Sequence, residues 1–374
     1  MHEFIRDFPC DGPDPLIAIK DTIDIEGFPT TAGSRALMNA SPAKQHAKVV
    51  ELILAAGWQI SGKTNMHELA FGMTGINEYF GTPTNPQDER LIPGGSSSGS
   101  AAAVGLCLAD AALGTDTGGS IRGPAACCGV IGFKPTFGRV DRRGVAPNET
   151  TLDCLGPFAR EMRVVTDVMA VIAPTFNANM AHEALHVCHV GVVTVDAEPE
   201  IVEAVWSAPK AAGFSQRAID LPGFQSAFLA GLTIINAETW RAFGHLVETQ
   251  LLGLDVTNRL IAAASTTHVQ IAAAEQIREV FSAAVDRALE EVDVLILPTL
   301  PTLPITLAQA RNGTPVISMS SLIRPFNLSG HPALSLPMSI KGSRLKAGLQ
   351  IVGRKGADEQ VCAIAASFEQ ALAR

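Results

Sequence analysis

The chain carries its most informative sequence at residues 94–132, GGSSSGSAAAVGLCLADAALGTDTGGSIRGPAACCGVIG. Two Gly/Ser-rich turns, at residues 94–100 and 114–122, flank an alanine-rich apolar segment at residues 101–113. Glycine at this density lets the backbone adopt positive φ and lets another group approach closely. Serine hydroxyls supply nucleophiles, and consecutive backbone N–H groups converge readily on a developing negative charge. The stretch therefore indicates acyl-transfer chemistry.

The composition indicates a globular protein with a large core. Of the 374 residues, 47% are hydrophobic and 17% charged, which excludes a disordered or low-complexity chain. A net charge of −9 argues against nucleic acid or an anionic membrane as the main partner. No apolar run reaches the roughly 18–20 residues of a membrane-spanning helix, and residues 1–14 contain no signal-peptide pattern. Seven cysteines, an odd number, then indicate reduced thiols and a cytoplasmic location.

The succession of strand-like and helix-like segments predicts an α/β fold. Residues 15–19 form an apolar run that we expect to be a buried strand, with Lys20 at the end of a sheet. Ser41-Pro42 has the pattern of a helix N-terminus, and Gly57 is expected to end that helix. Residues 64–93 form a long irregular connection, and such segments are often functional.

Further helices are predicted at residues 98–109, 160–173, 198–212, 231–252, 267–291 and 358–372. Further strands are predicted at residues 58–61, 128–133, 189–195, 292–297, 332–337 and 349–352. No repeat, charge run or linker interrupts the pattern. The sequence therefore predicts a single domain over residues 1–374.

Ser120 is the candidate nucleophile, because it follows two glycines on a tight turn that leads away from a strand. A serine hydroxyl needs a base. Three histidines lack any local context that marks them as its partner: His67, His182 and His331. Lys20 has such a context, since burial at a strand end lowers a lysine pKa, and serine–lysine pairs are an established variant of serine catalysis.

Several ordered motifs resemble those of the amidase signature family. They are IKD at 19–21, PTTAGS at 29–34, the two turns at 94–100 and 114–122, CG at 128–129, GFKPT at 132–136, GR at 138–139, LD at 152–153, GP at 156–157, AR at 159–160, NLSG at 327–330 and PA at 332–333. The resemblance runs from about residue 16 to residue 368. Several motifs in order are far more specific than any single pattern.

The resemblance implies a triad of Lys20, Ser96 and Ser120, with a cis peptide bond before Ser96. Ser120 would attack an amide carbonyl while Ser96 relays its proton to neutral Lys20, and water would then hydrolyse the acyl-enzyme. The amides of residues 117–120, which include Thr117, Gly118 and Gly119, would form the oxyanion hole. Met73 matches a region that faces the substrate in relatives.

The resemblance also implies the architecture and the chemistry of the site. We expect a central mixed β-sheet flanked by helices on both faces. The core would comprise residues 16–174 and 292–374, and a variable helical region on the substrate side would comprise residues 178–291. No metal and no organic cofactor are expected. Asp116 and Arg122 are expected to brace the Ser120 turn by hydrogen bonds.

Three departures from the family pattern are visible. Ser98 stands where the family usually has glycine, which adds a hydroxyl near the relay. Gly123 replaces a bulkier residue after Ile-Arg, so the pocket is expected to be wider there. Residues 1–15, which precede the lysine strand, are fewer than in relatives, and this leaves the oligomeric state open, a homodimer included.

Rival motifs have weaker support. Residues 95–99 also match G-x-S-x-G, with Ser97 as the nucleophile, but polar residues and a proline precede it where a strand is required. Residues 182–186, HEALH, match a zinc-protease pattern, but His186 leads into a β-branched segment. Neither glycine-rich turn has the ending of a phosphate-binding loop.

Within the family, one alternative is the glutaminase-type subunit of an aminoacyl-tRNA amidotransferase, which works with partner subunits and tRNA. The chain is expected to be much shorter than such subunits. We therefore expect a stand-alone hydrolase of small-molecule carboxamides, without nucleic-acid or membrane partners. Aliphatic, aryl and urea-type amides all remain open as substrates.

Overall fold

The computed structural model describes residues 2–183, 185 and 187–372. Its strands are β1 (Phe4–Asp7), β2 (Leu16–Lys20), β3 (Gln59–Thr64), β4 (Ala111–Asp116), β5 (Ile131–Lys134), β6 (Cys154–Ala159), β7 (His189–Val193), β8 (Ser215–Ile219), β9 (Val294–Pro298), β10 (Ala333–Ser339) and β11 (Lys346–Val352). Its α-helices are α1 (Lys48–Ala55), α2 (Ser98–Gly105), α3 (Arg122–Cys128), α4 (Met162–Ile172), α5 (Ala178–His182), α6 (Pro199–Ala211), α7 (Phe224–Phe243), α8 (Leu254–Ala263), α9 (His268–Glu290), α10 (Leu307–Arg311), α11 (Arg324–Leu328) and α12 (Asp358–Leu372).

The described strands form one 11-stranded mixed sheet in the order β1-β3-β2-β4-β6-β5-β10-β11-β9-β7-β8. β2 pairs in parallel with β3 and β4, and β7 pairs in parallel with β8 and β9. The strands between these two groups pair antiparallel. In the described part of the chain, no helix combines the length and apolarity needed to cross a bilayer.

Helices cover both faces of the sheet, and alternate side chains of each strand enter different cores. In β2, Ile17 and Ile19 pack into the core beneath α1, α4, α6 and α12, whereas Ala18 packs with α2 and α3 on the other face. In β9, Ile296 joins the first core and Leu297 packs with α7 and α9. This period of two is that of a strand buried on both faces. The predicted α/β fold, a mixed sheet flanked by helices, is confirmed.

The start of α1 differs from the sequence prediction. The helix begins at Lys48 rather than after Ser41. The preceding residues pair with another segment instead, since the amides of Ala43 and Ala47 donate to the carbonyls of Phe28 and Asp24. Those long-range bonds hold residues 43–47 outside the helix. Gly57 follows the helix end with φ +85°, as predicted.

Other predicted elements are confirmed with shifted ends, but four strands were not among those predicted with bounds. The predicted helix at 231–252 is α7, which begins at Phe224 and ends at Phe243. These strands are β1, β4, β6 and β8, and each is short, with four to six residues. β7 and β8 belong to the central sheet although they fall within the predicted helical region 178–291. The division into core and variable region stays a prediction.

Candidate active site

The carboxyl ends of two neighbouring parallel strands define the floor of the site. β2 ends at Lys20 and β4 ends at Asp116, and the two strands pair through Ile19 and Leu113. In α/β proteins, ligands bind beyond the carboxyl ends of parallel strands. The prediction that a buried strand carries Lys20 to the end of a sheet is confirmed.

Lys20 is fully buried, and its amino group contacts two hydroxyls. Its Nζ donates hydrogen bonds to Ser96 Oγ and Thr115 Oγ1, each at 2.8 Å. Burial lowers the pKa of Lys20 from 10.5 to about 7, although the negative charges of Asp153 and Asp116 oppose the shift. An amine with a pKa lowered this far is partly neutral near pH 7, so its lone pair is available to accept a proton.

The two serine turns are in direct backbone contact. The Gly95–Ser96 peptide bond is cis, as the resemblance implies. The Ser96 carbonyl accepts a hydrogen bond from the His67 amide at 3.0 Å, and the Ser97 amide donates to the Ser120 carbonyl at 3.3 Å. The bond from the Ser97 amide joins the turn that contacts Lys20 through Ser96 to the turn that contains Ser120.

The Ser120 turn, residues 116–122, is shaped by one carboxylate. Asp116 Oδ1 accepts the Gly119 amide at 2.7 Å, and Oδ2 accepts the amides of Ile121 and Arg122 at 3.1 and 3.3 Å. Gly119 has φ +116°, a region that favours glycine. The carboxylate thereby folds the backbone around Ser120.

Arg122 closes this network from beneath, and all five of its guanidinium N–H donors are used. Two bonds reach the Asp116 carboxylate at 3.0 Å. The other acceptors are Asn327 Oδ1 at 2.6 Å, Gln350 Oε1 at 2.7 Å and the Ile323 carbonyl at 2.8 Å. Arg122 is fully buried, so this saturation removes the penalty of unpaired buried donors.

The electrostatics of Asp116 follow from the same contacts. Burial alone would raise the pKa of this carboxyl, but the Arg122 charge and hydrogen bonds from Arg122 and Asn327 hold it well below its usual range. Asp116 is therefore ionised at any pH near neutrality. The prediction that Asp116 and Arg122 brace the turn by hydrogen bonds is confirmed.

One part of the predicted oxyanion hole needs correction. The Gly119 amide points at the Asp116 carboxylate, so the expectation that all four amides of residues 117–120 face one concavity does not hold for Gly119. No described residue accepts a hydrogen bond from the amides of Thr117, Gly118 or Ser120. Three amides of the turn thus remain available to a bound group.

An inner cavity of about 60 Å³ opens beside the Ser120 turn. Met73 lines it together with Thr117, Gly118 and Ser120, and the expectation that Met73 faces the substrate stays a prediction. The remaining lining residues are Ala70, Phe71, Gly72, Leu232, Ile235, Arg259, Val316, Ile317 and Arg324. Mostly apolar walls with a few polar groups are typical of small-molecule sites.

A wider outer cavity adjoins the inner one. Its volume is about 540 Å³, and it shares Arg259 and Val316 with the inner cavity. Charged residues are frequent in its lining, among them Arg35, Glu68, Glu78, Asp255 and Arg311, and His67 also lines it. The inner cavity is thus narrow and mostly apolar, and the outer cavity is wider and more polar.

Two arginines in the inner cavity were missed at the level of sequence. Arg259 pairs with Asp255, with an Nε–Oδ1 distance of 2.9 Å. The buried Nε and Nη1 of Arg324 have no hydrogen-bond partner among the described residues, and the guanidinium lies 4.5 Å from the centre of the Phe228 ring. The available signal was the position of Arg324, directly before Pro325 and the family-like motif at 327–330.

The serines next to Ser96 have other roles in the structure. Ser97 Oγ is buried and donates to the Thr115 carbonyl at 3.2 Å, and no described strand immediately precedes residue 95, so the context of G-x-S-x-G is missing. Ser98 Oγ is buried and has no partner among the described residues. The hydroxyl of Ser98 is therefore not bonded to the relay.

The zinc-type motif at 182–186 does not lie on a continuous helix. α5 ends at His182, and Glu183 has an extended backbone with ψ 124°. Ala184 and His186 lie outside the described residues. Within the described part of the chain, no group of three or more His, Cys, Asp or Glu side chains is arranged to hold a metal ion.

Comparisons with known proteins agree with this geometry. The chain is 33% identical to a subunit of the Glutamyl-tRNA(Gln) amidotransferase of Halobacterium salinarum, covering 97% of this chain and 96% of that relative. The expected large difference in length is therefore wrong for this relative. The structure of 6-aminohexanoate cyclic dimer hydrolase complexed with substrate matches with a TM-score of 0.86 and 27% identity, covering 96% of this chain and 86% of that chain.

A third match is the inhibitor-bound structure of a vestigial protein complex that reveals the evolutionary origins of an s-triazine catabolic enzyme. It has a TM-score of 0.89 and 28% identity, and the match covers 95% of this chain and 83% of that chain. The sequence model of the Amidase family matches residues 16–184 and 166–362. The chain therefore belongs to the amidase signature family and is a hydrolase that acts on C–N amide bonds.

Proposed function

We propose that this chain hydrolyses small-molecule carboxamides through an acyl-enzyme on Ser120, with Ser96 and Lys20 as the proton relay. The observation that carries the proposal is the contact of 2.8 Å between Lys20 Nζ and Ser96 Oγ in a fully buried site. The pKa of about 7 makes Lys20 a base that works near neutral pH. The hydrogen bond from the Ser97 amide to the Ser120 carbonyl supports the assignment of Ser120 as the nucleophile, because it joins the Ser120 turn to the residue after Ser96.

In the acylation step, Ser120 Oγ forms a bond to the amide carbonyl carbon, and the carbonyl π electrons move to the oxygen. The Ser120 proton passes to Ser96, whose own proton passes to the lone pair of neutral Lys20. The C–N bond then breaks, and the Lys20 ammonium returns a proton through Ser96 to the departing nitrogen. The protons balance because Ser96 and Lys20 both return to their starting protonation states, and the proton of Ser120 ends on the departing amine.

The oxyanion is assigned to the amides of Thr117, Gly118 and Ser120. Gly119 has a structural role instead, because its amide donates a hydrogen bond to the Asp116 carboxylate and so fixes the conformation of the turn. A fixed donor of this kind contributes about 2.7–4 kcal/mol to lowering the barrier. Water then attacks the Ser120 ester by the same relay, and the carboxylic acid is released.

The small inner cavity favours a compact acyl group. Its volume of about 60 Å³ is well below the range usual for drug-sized ligands. Met73, Ile235 and Ile317 supply apolar contact at its walls. The outer cavity, at about 540 Å³, leaves space for a larger leaving group.

A glutaminase-type role within an amidotransferase is the second candidate. The specific observation in its favour is the similarity to the Glutamyl-tRNA(Gln) amidotransferase relative, which extends along almost the whole chain. In that role the chain would act with partner subunits and would release ammonia from glutamine. The two candidates share the same Ser120 chemistry and differ in substrate and partners.

The test is ammonia release from acetamide, propionamide, benzamide, glutaramate and L-glutamine by the purified chain. Ser120→Ala and Lys20→Ala should each lower kcat/KM by at least about 10³-fold while the fold is retained. Ser98→Ala is the matched control, because it removes a neighbouring buried hydroxyl that has no partner among the described residues. Full activity of Ser120→Ala or Lys20→Ala contradicts the proposal. Turnover of glutamine without turnover of glutaramate, the analogue that lacks the α-amino group, favours the second candidate.

A further inference from the structure

Arg324 is a buried cation in the wall of the inner cavity. It is the first residue of α11 and only 5% exposed. Its Nε and Nη1 are buried and have no hydrogen-bond partner among the described residues. Buried guanidinium donors in native structures are nearly always satisfied, so an unsatisfied one needs an explanation.

The surroundings of Arg324 hold its side chain against the Ser120 turn. A Cβ added at Gly118 would lie 3.3 Å from Arg324 Nε, and one added at Gly231 would lie 2.9 Å from its Cγ. On another side the Phe228 ring centre is 4.5 Å from the guanidinium. Two glycines and an aromatic ring therefore leave space for Arg324, and none of the three accepts a hydrogen bond from Nε or Nη1.

Among the described residues, no carboxylate forms an ion pair with Arg324, and two carboxylates of the surrounding site are used by other groups. Asp116 accepts its bonds from Arg122, Asn327 and the backbone of the Ser120 turn. Asp255 pairs with Arg259, the other arginine of the cavity. Burial and the charge of Arg259 lower the pKa of Arg324 to about 9, so Arg324 still carries its charge at neutral pH.

A buried charge without an anionic partner is unfavourable in a protein interior, and the contact with the Phe228 ring offsets only part of this cost. It is tolerated where a ligand supplies the partner, and residues arranged for that purpose lie in binding cavities. The ligand that meets a guanidinium best is a planar carboxylate, which accepts charge-assisted hydrogen bonds. An inner cavity of about 60 Å³ suits a group of that size.

We infer that Arg324 binds a carboxylate of the substrate, and that the substrate is a carboxamide with a free carboxylate a few bonds from the scissile carbonyl. The inference rests on the proposed function, since Ser120 and Gly118 line the same cavity as Arg324. It makes Arg324 a specificity-determining residue. The monoamide of a short dicarboxylic acid is the simplest compound of this class.

The first part of the test measures binding in the inactive Ser120→Ala background by isothermal titration calorimetry. The probes are malonamate, succinamate and glutaramate, each compared with the neutral amide in which methyl replaces the carboxylate. At least one carboxylated probe should bind about 30-fold or more tightly than its neutral partner. Arg324→Met in the same background should remove that difference.

Two further variants make the result specific. Arg241→Met is the matched control, because Arg241 is an exposed arginine on α7, the helix that also carries Phe228. It should retain the preference for the carboxylated probe. Arg324→Lys keeps the charge, so it should restore part of the preference if Arg324→Met folds poorly.

The second part measures turnover of the same pairs by the wild type, which separates the two proposals. Hydrolysis of these amides by the wild type, together with equal binding of the charged and neutral probes, overturns the role of Arg324 and leaves the proposed function intact. Carboxylate-dependent binding that Arg324→Met abolishes, without any hydrolysis, supports the role of Arg324 and contradicts the proposed function. A preference that survives in Arg324→Met overturns the inference.

Discussion

The Ser120 turn and the wall of the inner cavity that faces it are each built around a buried arginine, but the two arginines differ in their partners. Arg122, beneath the turn, donates all five of its N–H groups within the protein. Arg324, in the wall, contacts Phe228 and leaves Nε and Nη1 without an acceptor among the described residues. One region is complete within the chain, and the other is completed by a ligand.

This difference separates stability from function within one site. A saturated network fixes the backbone around Ser120 and contributes to the folded state. An unsatisfied cation in a cavity destabilises the free protein, and the binding of an anion offsets this cost. Three substitutions and one pH profile test this difference between the two regions.

The greatest loss is expected from Arg122→Met. This change leaves the Asp116 carboxylate buried without its cation, which should lower the free energy of unfolding by about 3–5 kcal/mol. Urea denaturation followed by circular dichroism measures the loss. Hydrolysis should be lost as well, because Asp116 shapes the Ser120 turn. A variant with wild-type stability would show that the network is not what holds the turn.

Arg324→Met should act in the opposite direction on stability. Replacing an unpaired buried cation with an apolar side chain should leave the free energy of unfolding unchanged or raise it by about 1–4 kcal/mol. The same urea titration, run beside that of Arg122→Met, gives the comparison directly. A loss of stability as large as that of Arg122→Met would contradict the contrast between the two arginines.

The pH profile tests the base without any substitution. Neutral Lys20 is the reactive form. With acetamide, which has no carboxylate for Arg324 to bind, kcat/KM should therefore be constant above the Lys20 pKa of about 7 and should fall about tenfold per pH unit below it. Asp116 remains ionised throughout this range, so the turn itself does not titrate. Initial rates between pH 5 and pH 9, with a check of folding at each pH, measure the profile. Activity that rises as the pH falls would exclude Lys20 as the base.

A much smaller change is expected from Gly123→Ala, at the boundary of the two regions. A Cβ at Gly123 would lie 3.1 Å from Met73 Cε, so the flexible methionine end must shift by a few tenths of an ångström. We expect a loss in kcat/KM of about fivefold or less, which increases with the length of the acyl group. Rates with acetamide and propionamide provide the comparison. An equal loss for both would mean that Gly123 does not limit the cavity.

The sequence predicted those features that depend on local patterns or on the family resemblance. The apolar run before Lys20 marks its strand, and the glycines around Ser96 and Ser120 mark the two turns. The bracing by Asp116 and Arg122 was also predicted. Their partners Asn327 and Gln350 were not, since they are more than 200 positions away along the chain and no local pattern connects them.

Other features depend on tertiary contacts and were missed for that reason. α1 begins later than predicted because residues 43–47 pair with residues 24–28. β4 is rich in alanine and glycine, so its strand conformation comes from pairing with β2 and β6 rather than from propensity. The burial of Arg324 in the cavity wall could not be predicted, because it depends on the contact with Phe228 on α7, which is distant in sequence. The Gly119 amide was misassigned because its bond to Asp116 is visible only in three dimensions.

Labelling with a fluorophosphonate probe, followed by intact-protein mass spectrometry and peptide mapping, tests the serine–lysine mechanism in one experiment. We expect a single adduct on Ser120, formed at a rate that rises with pH through about 7 and lost in Lys20→Ala, consistent with the pKa of that lysine. An adduct on Ser97, or labelling of Ser120 that is unchanged in Lys20→Ala, would contradict this mechanism.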